Sequence, residues 1–303
     1  MNLIDTHAHL YWESYQNDFD EMIQRAVDAG ISAIVNIGID IEKSQVALKQ
    51  TQDKLADIPG LLVYSTIGIH PHEALKFTPL TQDTSSQNKS SVDIAIQKDI
   101  EKLEQIYLSC PEKVIAVGEC GLDYFFNPSF TKGSRNKPFP IPQIKILQKK
   151  LFQAQIDLAK KLNLPLIVHC RDDRSKNQNH IEAWDEILKL IGNHPTILHC
   201  YSGLLPTTQK AIQKASVLVS FAANITYPKN EYLRKAVEIL PLNKIILETD
   251  APFLAPQSAR GQRNEPSSVK GVAQLIADLK GVSLEKVANQ TTTNAVSFLS
   301  LNR

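Results

Sequence analysis

The sequence has little to cross-link it and little to draw it to polyanions. It holds four cysteines, Cys110, Cys120, Cys170 and Cys200, with no CxxC pair, which argues against a disulfide framework. Its 33 basic residues against 32 acidic ones leave a formal net charge of +1. A protein that coats nucleic acid needs a broad basic face. That class is set aside, whereas an enzyme that grips a few phosphates locally is not. No apolar run is long enough to span a bilayer, and no basic-then-apolar leader precedes the strand-like start at Leu3 and Ile4. These absences predict a cytoplasmic enzyme with no membrane partner and, by default, a monomer. What is present is ordinary globular material: 43% hydrophobic and 21% charged residues.

Short apolar runs alternate with amphipathic stretches along nearly the whole chain. Strands are expected at Leu3–Thr6, Ala33–Gly38, Leu62–Gly68, Val114–Glu119, Leu166–His169, Thr196–His199, Val217–Phe221 and Lys244–Glu248. Helices are expected at Phe19–Ala29, Ile41–Leu55, Ile94–Ser109, Ile144–Leu162 and Pro266–Leu279, with an extra C-terminal helix at Leu284–Leu299. Continuously apolar strands belong to a sheet covered on both faces. The expectation is an α/β chain, a (β/α)8 TIM barrel forming one domain over 1–303, with a doubly wound open sheet as the competing architecture. Two polar strips interrupt the pattern. Thr78–Ser91 is rich in Ser, Thr and Gln and reads as a loop or a locally disordered strip; Asn127–Pro142 carries prolines and a Lys/Arg cluster.

The richest local feature is His7-x-His9. On an extended strand, residues two apart share a face, so both imidazoles converge on one point. Further candidates stand at later strand ends: His70 and His72, Glu119, His169, His199 and Asp250. Six of the chain's 8 histidines occupy such places, where barrel enzymes keep their catalytic groups. Any one alone is more often structural; together they point to a metal site. Histidine with carboxylate, and no required thiolate, suits Zn²⁺, Mn²⁺ or Mg²⁺.

The motifs around these residues resemble the TatD family of metal-dependent deoxyribonucleases, within the amidohydrolase-like barrels. The likeness runs through DTHAHL at 5–10, GIHPH at 68–72, GECGLDYF at 118–125, HCRD at 169–172, HCYSG at 199–203, ETDAPFLAP at 248–256 and RNEP at 263–266. It implies two divalent metal ions: His7, His9 and Asp250 for one, His169 and His199 for the other, and Glu119 bridging. It also implies a DNA substrate, cut by a metal-activated water whose proton Asp250 accepts or whose position it holds. Single-stranded or frayed ends are the expected targets. His70 is expected either to donate to the phosphate or leaving group, or to orient a ligand. His72 is expected to be structural, and Asp123 to support a ligand imidazole.

Arg171 and Arg263 are candidate phosphate clamps, because a guanidinium binds two phosphate oxygens at once; the alternative for each is a salt bridge. Asn264 and Glu265 are candidates to hold the last loop, and Glu265 to pair Arg263. Cys120, Cys170 and Cys200 each follow a proposed ligand. If the strand continues, alternation turns them away from the metals. The family commonly has a glycine near Ala223, where a methyl group would narrow one wall of the cleft. In the 127–142 strip, Phe130 and Phe139 interleave with Lys132, Arg135 and Lys137, close to Phe125 and Phe126. That pattern predicts a lid that guides a DNA strand, or else a loop packed on its own rings. Two other functions remain open: an ester or amide hydrolase of the same barrel type, for instance on an aminoacyl-tRNA ester, and a non-catalytic metal-binding barrel.

Overall fold

A computed structural model describes residues 2–77, 86–125, 141–175 and 177–301, with the backbone alone at 86–90. Eight strands run β1 (Leu3–Ala8), β2 (Ile31–Asn36), β3 (Leu62–Ile67), β4 (Val114–Asp123), β5 (Leu166–Arg171), β6 (Thr196–Leu198), β7 (Val217–Phe221) and β8 (Ile245–Leu247). They pair in strict sequence order, all parallel. The ring is closed by the chain leaving β8: Asp250 N donates to His7 O at 2.9 Å and His9 N to Ala251 O at 2.8 Å. This is a TIM barrel. A doubly wound sheet reverses its strand order once, and no reversal occurs here.

The helices are α1 (Phe19–Asp28), α2 (Ile41–Gln52), α3 (Ser86–Ser109), α4 (Ile141–Leu162), α5 (Glu182–Leu190), α6 (Leu205–Gln213), α7 (Glu231–Ile239), α8 (Val269–Lys280) and α9 (Leu284–Phe298). Local chemistry sets several ends. Asp40 accepts from Lys43 N at 2.7 Å and starts α2, and Ser283 accepts from Lys286 N at 3.2 Å and starts α9. α8 stops at Gly281, whose φ of 62° is left-handed. The polar strip at 78–91 is corrected in part: α3 already begins at Ser86. Its core stripe, Val92, Ile96, Ile100, Leu103 and Ile106, starts later, so its polar first turns carry no apolar signal.

Two apolar layers hold the barrel. The larger lies between strands and helices. The smaller fills the lumen with Ile4, Val35, Ile167, Ile197, Leu218 and Ile246, joined by Ala295, Leu299 and Leu301 from α9 and the residues after it. The extra helix therefore packs against the N-terminal end of the lumen, and the polar residues collect at the C-terminal end. No helix among the described residues is long and apolar enough to cross a membrane. The proposed lid at 127–142 falls on 126–140, outside the described residues, apart from its last two positions, which open α4.

Candidate metal centre

Glu119 sits where β4 is irregular. Its register against β5 shifts between Val117, opposite Leu166, and Cys120, opposite Val168. Such a bulge re-aims a side chain. Gly118 makes it possible: its φ is 151°, and a Cβ there would lie 2.2 Å from Ile167 O. The strand then runs four residues past Glu119 to Asp123. Glu119 is left 5% exposed, in the barrel mouth.

The two oxygens of Glu119 face different neighbours. Oε2 lies 3.5 Å from His7 Nε2 and 3.9 Å from His9 Nε2. Oε1 lies 3.0 Å from His169 Nδ1, 3.4 Å from His70 Nε2 and 3.6 Å from His199 Nε2. Asp250 Oδ1 joins the first group, 3.5 Å from His9 Nε2 and 3.7 Å from His7 Nε2. Asp250 reaches this position from a left-handed backbone, φ 58°, a conformation that Asp tolerates better than most residues. The rings of His7 and His199 stack at 3.5 Å between centroids. The structure thus brings all six predicted ligands and His70 into one cluster.

Outer partners fix the free nitrogen of several rings. Tyr11 donates its hydroxyl proton to Ile37 O at 2.9 Å, so its oxygen is left to accept from His9 Nδ1 at 3.2 Å. That leaves the His9 Nε2 lone pair facing the carboxylates. His199 Nδ1 donates to Glu248, 3.0 Å from Oε1, and Cys200 N donates to the same carboxylate. His169 Nε2 and His72 Nε2 both donate to Asp123 Oδ2, at 3.1 and 2.9 Å. His72 N donates to His70 Nδ1 at 3.2 Å, which assigns the His70 proton to Nε2. Asp5, fully buried, accepts from Thr249 N at 2.9 Å and Thr249 Oγ1 at 2.6 Å and so ties β1 to the chain after β8.

Electrostatics divide the imidazoles. Burial, aided by His199, pushes His7 down to about 3. Burial likewise lowers His70 to about 4. Burial opposes charge on His169 too, but hydrogen bonds to Asp123 and Glu119 win and raise it to about 10. His199 rises to about 9 because Glu248 and Glu119 outweigh its burial. The same contacts, against burial, hold Glu119 and Asp123 well below the usual carboxylate range. Burial pushes Asp5 up to about 8.

These residues fit a divalent cation. Both ring nitrogens of His7 are buried with no hydrogen-bond partner, a cost of roughly 1–3 kcal/mol for each orphaned group unless something satisfies it. Four carboxylates, Glu119, Asp123, Glu248 and Asp250, converge on imidazoles alone, with neither lysine nor arginine within ion-pair distance of them among the described residues. Four donor groupings compact enough for an ion lie here: His7, His9 and Glu119; His7, His199 and Asp250; His70, Glu119 and His169; and His199, Cys200 and Glu248.

The candidate substrate residues separate. Arg171 ends β5 with its guanidinium 4.0 Å from the Phe125 ring centroid. Arg263 is not brought to the cluster's ligands. Its guanidinium is taken by Asp18 Oδ1 and Oδ2, both at 2.6 Å, and by Glu265 Oε1 at 2.7 Å. The salt-bridge alternative describes it. Asn264 pins the loop, donating to Thr249 O at 3.0 Å and accepting from Ser268 Oγ at 2.6 Å. Cys120 and Cys170 are buried within continuing strands. Cys200 differs: β6 has ended at Leu198, and its thiol accepts from Asn224 Nδ2 at 3.5 Å beside His199 and Glu248. Ala223 opens a right-handed 3-10 turn, Ala223–Thr226, with its methyl group buried. Glu248, Tyr11 and Asp5 carry parts that the sequence reading did not assign. Glu248-x-Asp250 repeats the spacing of His7-x-His9, and that was its available signal.

Comparison with known proteins supplies the remaining findings. The model of the family described as TatD related DNase matches residues 4–300. The uncharacterized metal-dependent hydrolase YabD of Bacillus subtilis (strain 168) is 32% identical over 300 residues, covering 99% of this chain and 100% of that protein. The 3′-5′ ssDNA/RNA exonuclease TatD of Shigella flexneri serotype 5b is 27% identical over 303 residues, covering 99% of each. The crystal structure of YjjV, a TatD homolog from Escherichia coli K12, superposes with a TM-score of 0.76 at 26% identity, over 99% of this chain and 98% of that one.

Proposed function

The chain belongs to the TatD-related DNase family, and from that premise we propose that it is a metal-dependent nuclease that trims single-stranded or frayed DNA ends. A 3′-to-5′ direction and tolerance of RNA are carried over from the Shigella relative, whose name states both. That relative also favours a phosphodiester target over the ester or amide bond that the ligand set alone leaves open.

The observation that carries the reading is the division of Glu119, one oxygen toward His7 and His9 and the other toward His169 and His199. On that support, His7, His9 and Asp250 would hold one divalent cation and His169 and His199 a second, with Glu119 shared. Mg²⁺, Mn²⁺ and Zn²⁺ all accept such donors. When bound, a cation pair neutralises phosphoryl oxygens and lowers the pKa of a water.

The chain's own groups do the rest. The carboxylate of Asp250, 16% exposed, meets solvent in the mouth and accepts the proton of the attacking water. With burial keeping it neutral and its Nδ1 accepting from His72 N, His70 carries its proton on Nε2 and donates a hydrogen bond from that atom. Its partner is a phosphate oxygen or the leaving oxygen when substrate is bound, and Glu119 otherwise. Arg171, which has no carboxylate or carbonyl partner among the described residues, offers its guanidinium to a second phosphate. Arg263 serves the fold of the last loop instead.

The test is a cleavage ladder on end-labelled single- and double-stranded DNA across a panel of divalent metals. The expected result is a metal-dependent ladder that shortens from the 3′ end and disappears in Glu119→Ala. Absence of any metal-dependent cleavage, on every strand type and metal, rejects the nuclease reading.

A further inference from the structure

The described arginines are of two kinds. Arg25 and Arg263 are held by Asp18 and Glu265, and Arg174 and Arg234 by backbone carbonyls. Arg171 and Arg260 have no carboxylate or carbonyl partner among the described residues. Each lies over a ring instead, Arg171 4.0 Å from the centroid of Phe125 and Arg260 4.0 Å from that of Tyr227. A guanidinium with no anionic partner has N–H groups to offer phosphate oxygens, although that of Arg260 also interacts with the Tyr227 hydroxyl.

A second pair of rings stands on the rim beside His9. Trp12, after β1, meets Phe253, after β8, edge to face with centroids 5.0 Å apart. Phe253 is 41% exposed and also touches the ring of His9, at 5.8 Å. No core needs this large apolar group at the surface. The Arg260–Tyr227 pair adjoins the same loop, because the Tyr227 hydroxyl donates to Ala255 O at 2.9 Å. In a ring of strands ordered β1 to β8, this side lies opposite β4, which Phe125 follows, and β5, which Arg171 ends. The metal-ligand cluster lies between.

We infer that Trp12, Phe253, Tyr227 and Arg260 form a nucleotide subsite for single-stranded nucleic acid: one base stacks on Trp12 and Phe253, and an adjoining phosphate takes the edge of Arg260. Stacking accepts any base, because every base has a π-face. Arg171 grips the strand on the opposite wall, so the scissile phosphate is drawn across the ligands. The inference rests on the nuclease reading and adds to it the residues that seat the strand.

Trp12 is one of 2 tryptophans, and the other, Trp184, is fully buried. Intrinsic fluorescence therefore reports on the subsite directly. A phosphorothioate-linked oligothymidylate, titrated into the metal-loaded protein, quenches tryptophan emission to saturation, and Trp12→Phe removes the quenching. With unmodified single strands, Phe253→Ala and Arg260→Ala each raise KM roughly tenfold and leave kcat within about twofold. Arg260→Ala also lowers the slope of log KM against log salt by about 0.7, whereas Arg260→Lys retains it. If the wild type cleaves single strands but shows no quenching and both alanine variants keep its KM, the subsite is overturned while the nuclease reading stands. If the wild type cleaves no nucleic acid, both fall.

Discussion

A buried imidazole binds a cation well only when its other nitrogen is occupied, and His199 shows how the chain arranges this. Glu248, itself fully buried, takes the His199 Nδ1 proton and the Cys200 amide together. Glu248→Gln keeps the size and removes the charge, so the ring loses its orientation and its basicity. Affinity for a divalent metal should fall about 10- to 100-fold, read by competition with a chromophoric chelator. Unchanged affinity would mean that Glu248 serves only the Cys200 turn. That His7, His9, Glu119, His169, His199 and Asp250 gather at one place was legible beforehand, from their recurrence at strand ends together with the family resemblance that picked these six out. Glu248 was less so. β8 ends at Leu247, and only the fold shows that the next residue turns to meet a ring on β6's end, 49 positions away. Cys200 went the same way: alternation holds for Cys120 and Cys170, inside strands, and fails two residues beyond a strand that stops short at Leu198.

Elements were easier to read than their joins. Alternating apolar runs give the strand count and order of a barrel. They do not give the bulge that aims Glu119, because a shift of register depends on the neighbouring strand. Nor do they reveal what holds the last loop to the barrel. Arg263 reaches back to Asp18 at the start of α1, and Arg25, on α1, reaches forward to Glu265 at 2.8 Å. Partners some 240 positions apart leave no local pattern. Removing Arg263 unties this brace, and Arg263→Ala should lower the thermal midpoint at neutral pH by on the order of 2–4 °C. The pH dependence has a definite sign. Burial alone would raise the Glu265 carboxyl, but Arg25 and Arg263 outweigh it and hold the group below its ordinary 4.5. A carboxyl lowered on folding stabilises the protein above that value and stops doing so as pH falls through the folded value. The gap between Arg263→Ala and wild type is therefore widest near neutrality, begins to narrow below about 4.5, and closes only as pH falls through the lower folded values of Glu265 and of Asp18, whose carboxyl Arg263 and Arg25 hold well below the usual range. A gap that is flat from neutral to acid pH would show that packing over Tyr15, not charge, is what the arginine contributes.

At the scale of the molecule, the two ends of the barrel are built to opposite rules. At the N-terminal end, the lumen is packed with Ile4, Val35, Ile167 and Ile246 and closed by Leu299 and Leu301, so burial and stability agree. At the C-terminal end, buried carboxylates face one another across imidazoles, and His7 keeps two unsatisfied nitrogens. The orphaned nitrogens of His7 cost stability until a cation satisfies them. Cation binding should accordingly be read out by the whole fold. A ligand that binds only the folded chain stabilises it by about 2.7 kcal/mol when present at a hundred times its dissociation constant. For a chain of this length that corresponds to roughly 5 °C in thermal midpoint. Adding Mn²⁺ or Zn²⁺ to chelator-treated protein should raise the midpoint by this order. The rise should shrink sharply in Glu119→Ala, where the shared carboxylate is gone. Arg171→Ala, which touches no ligand, should keep the full rise. Differential scanning fluorimetry across a metal titration decides the matter: equal rises in wild type and Glu119→Ala would place the stabilising ion elsewhere, and the cluster at the barrel mouth would lose its claim to be the metal centre.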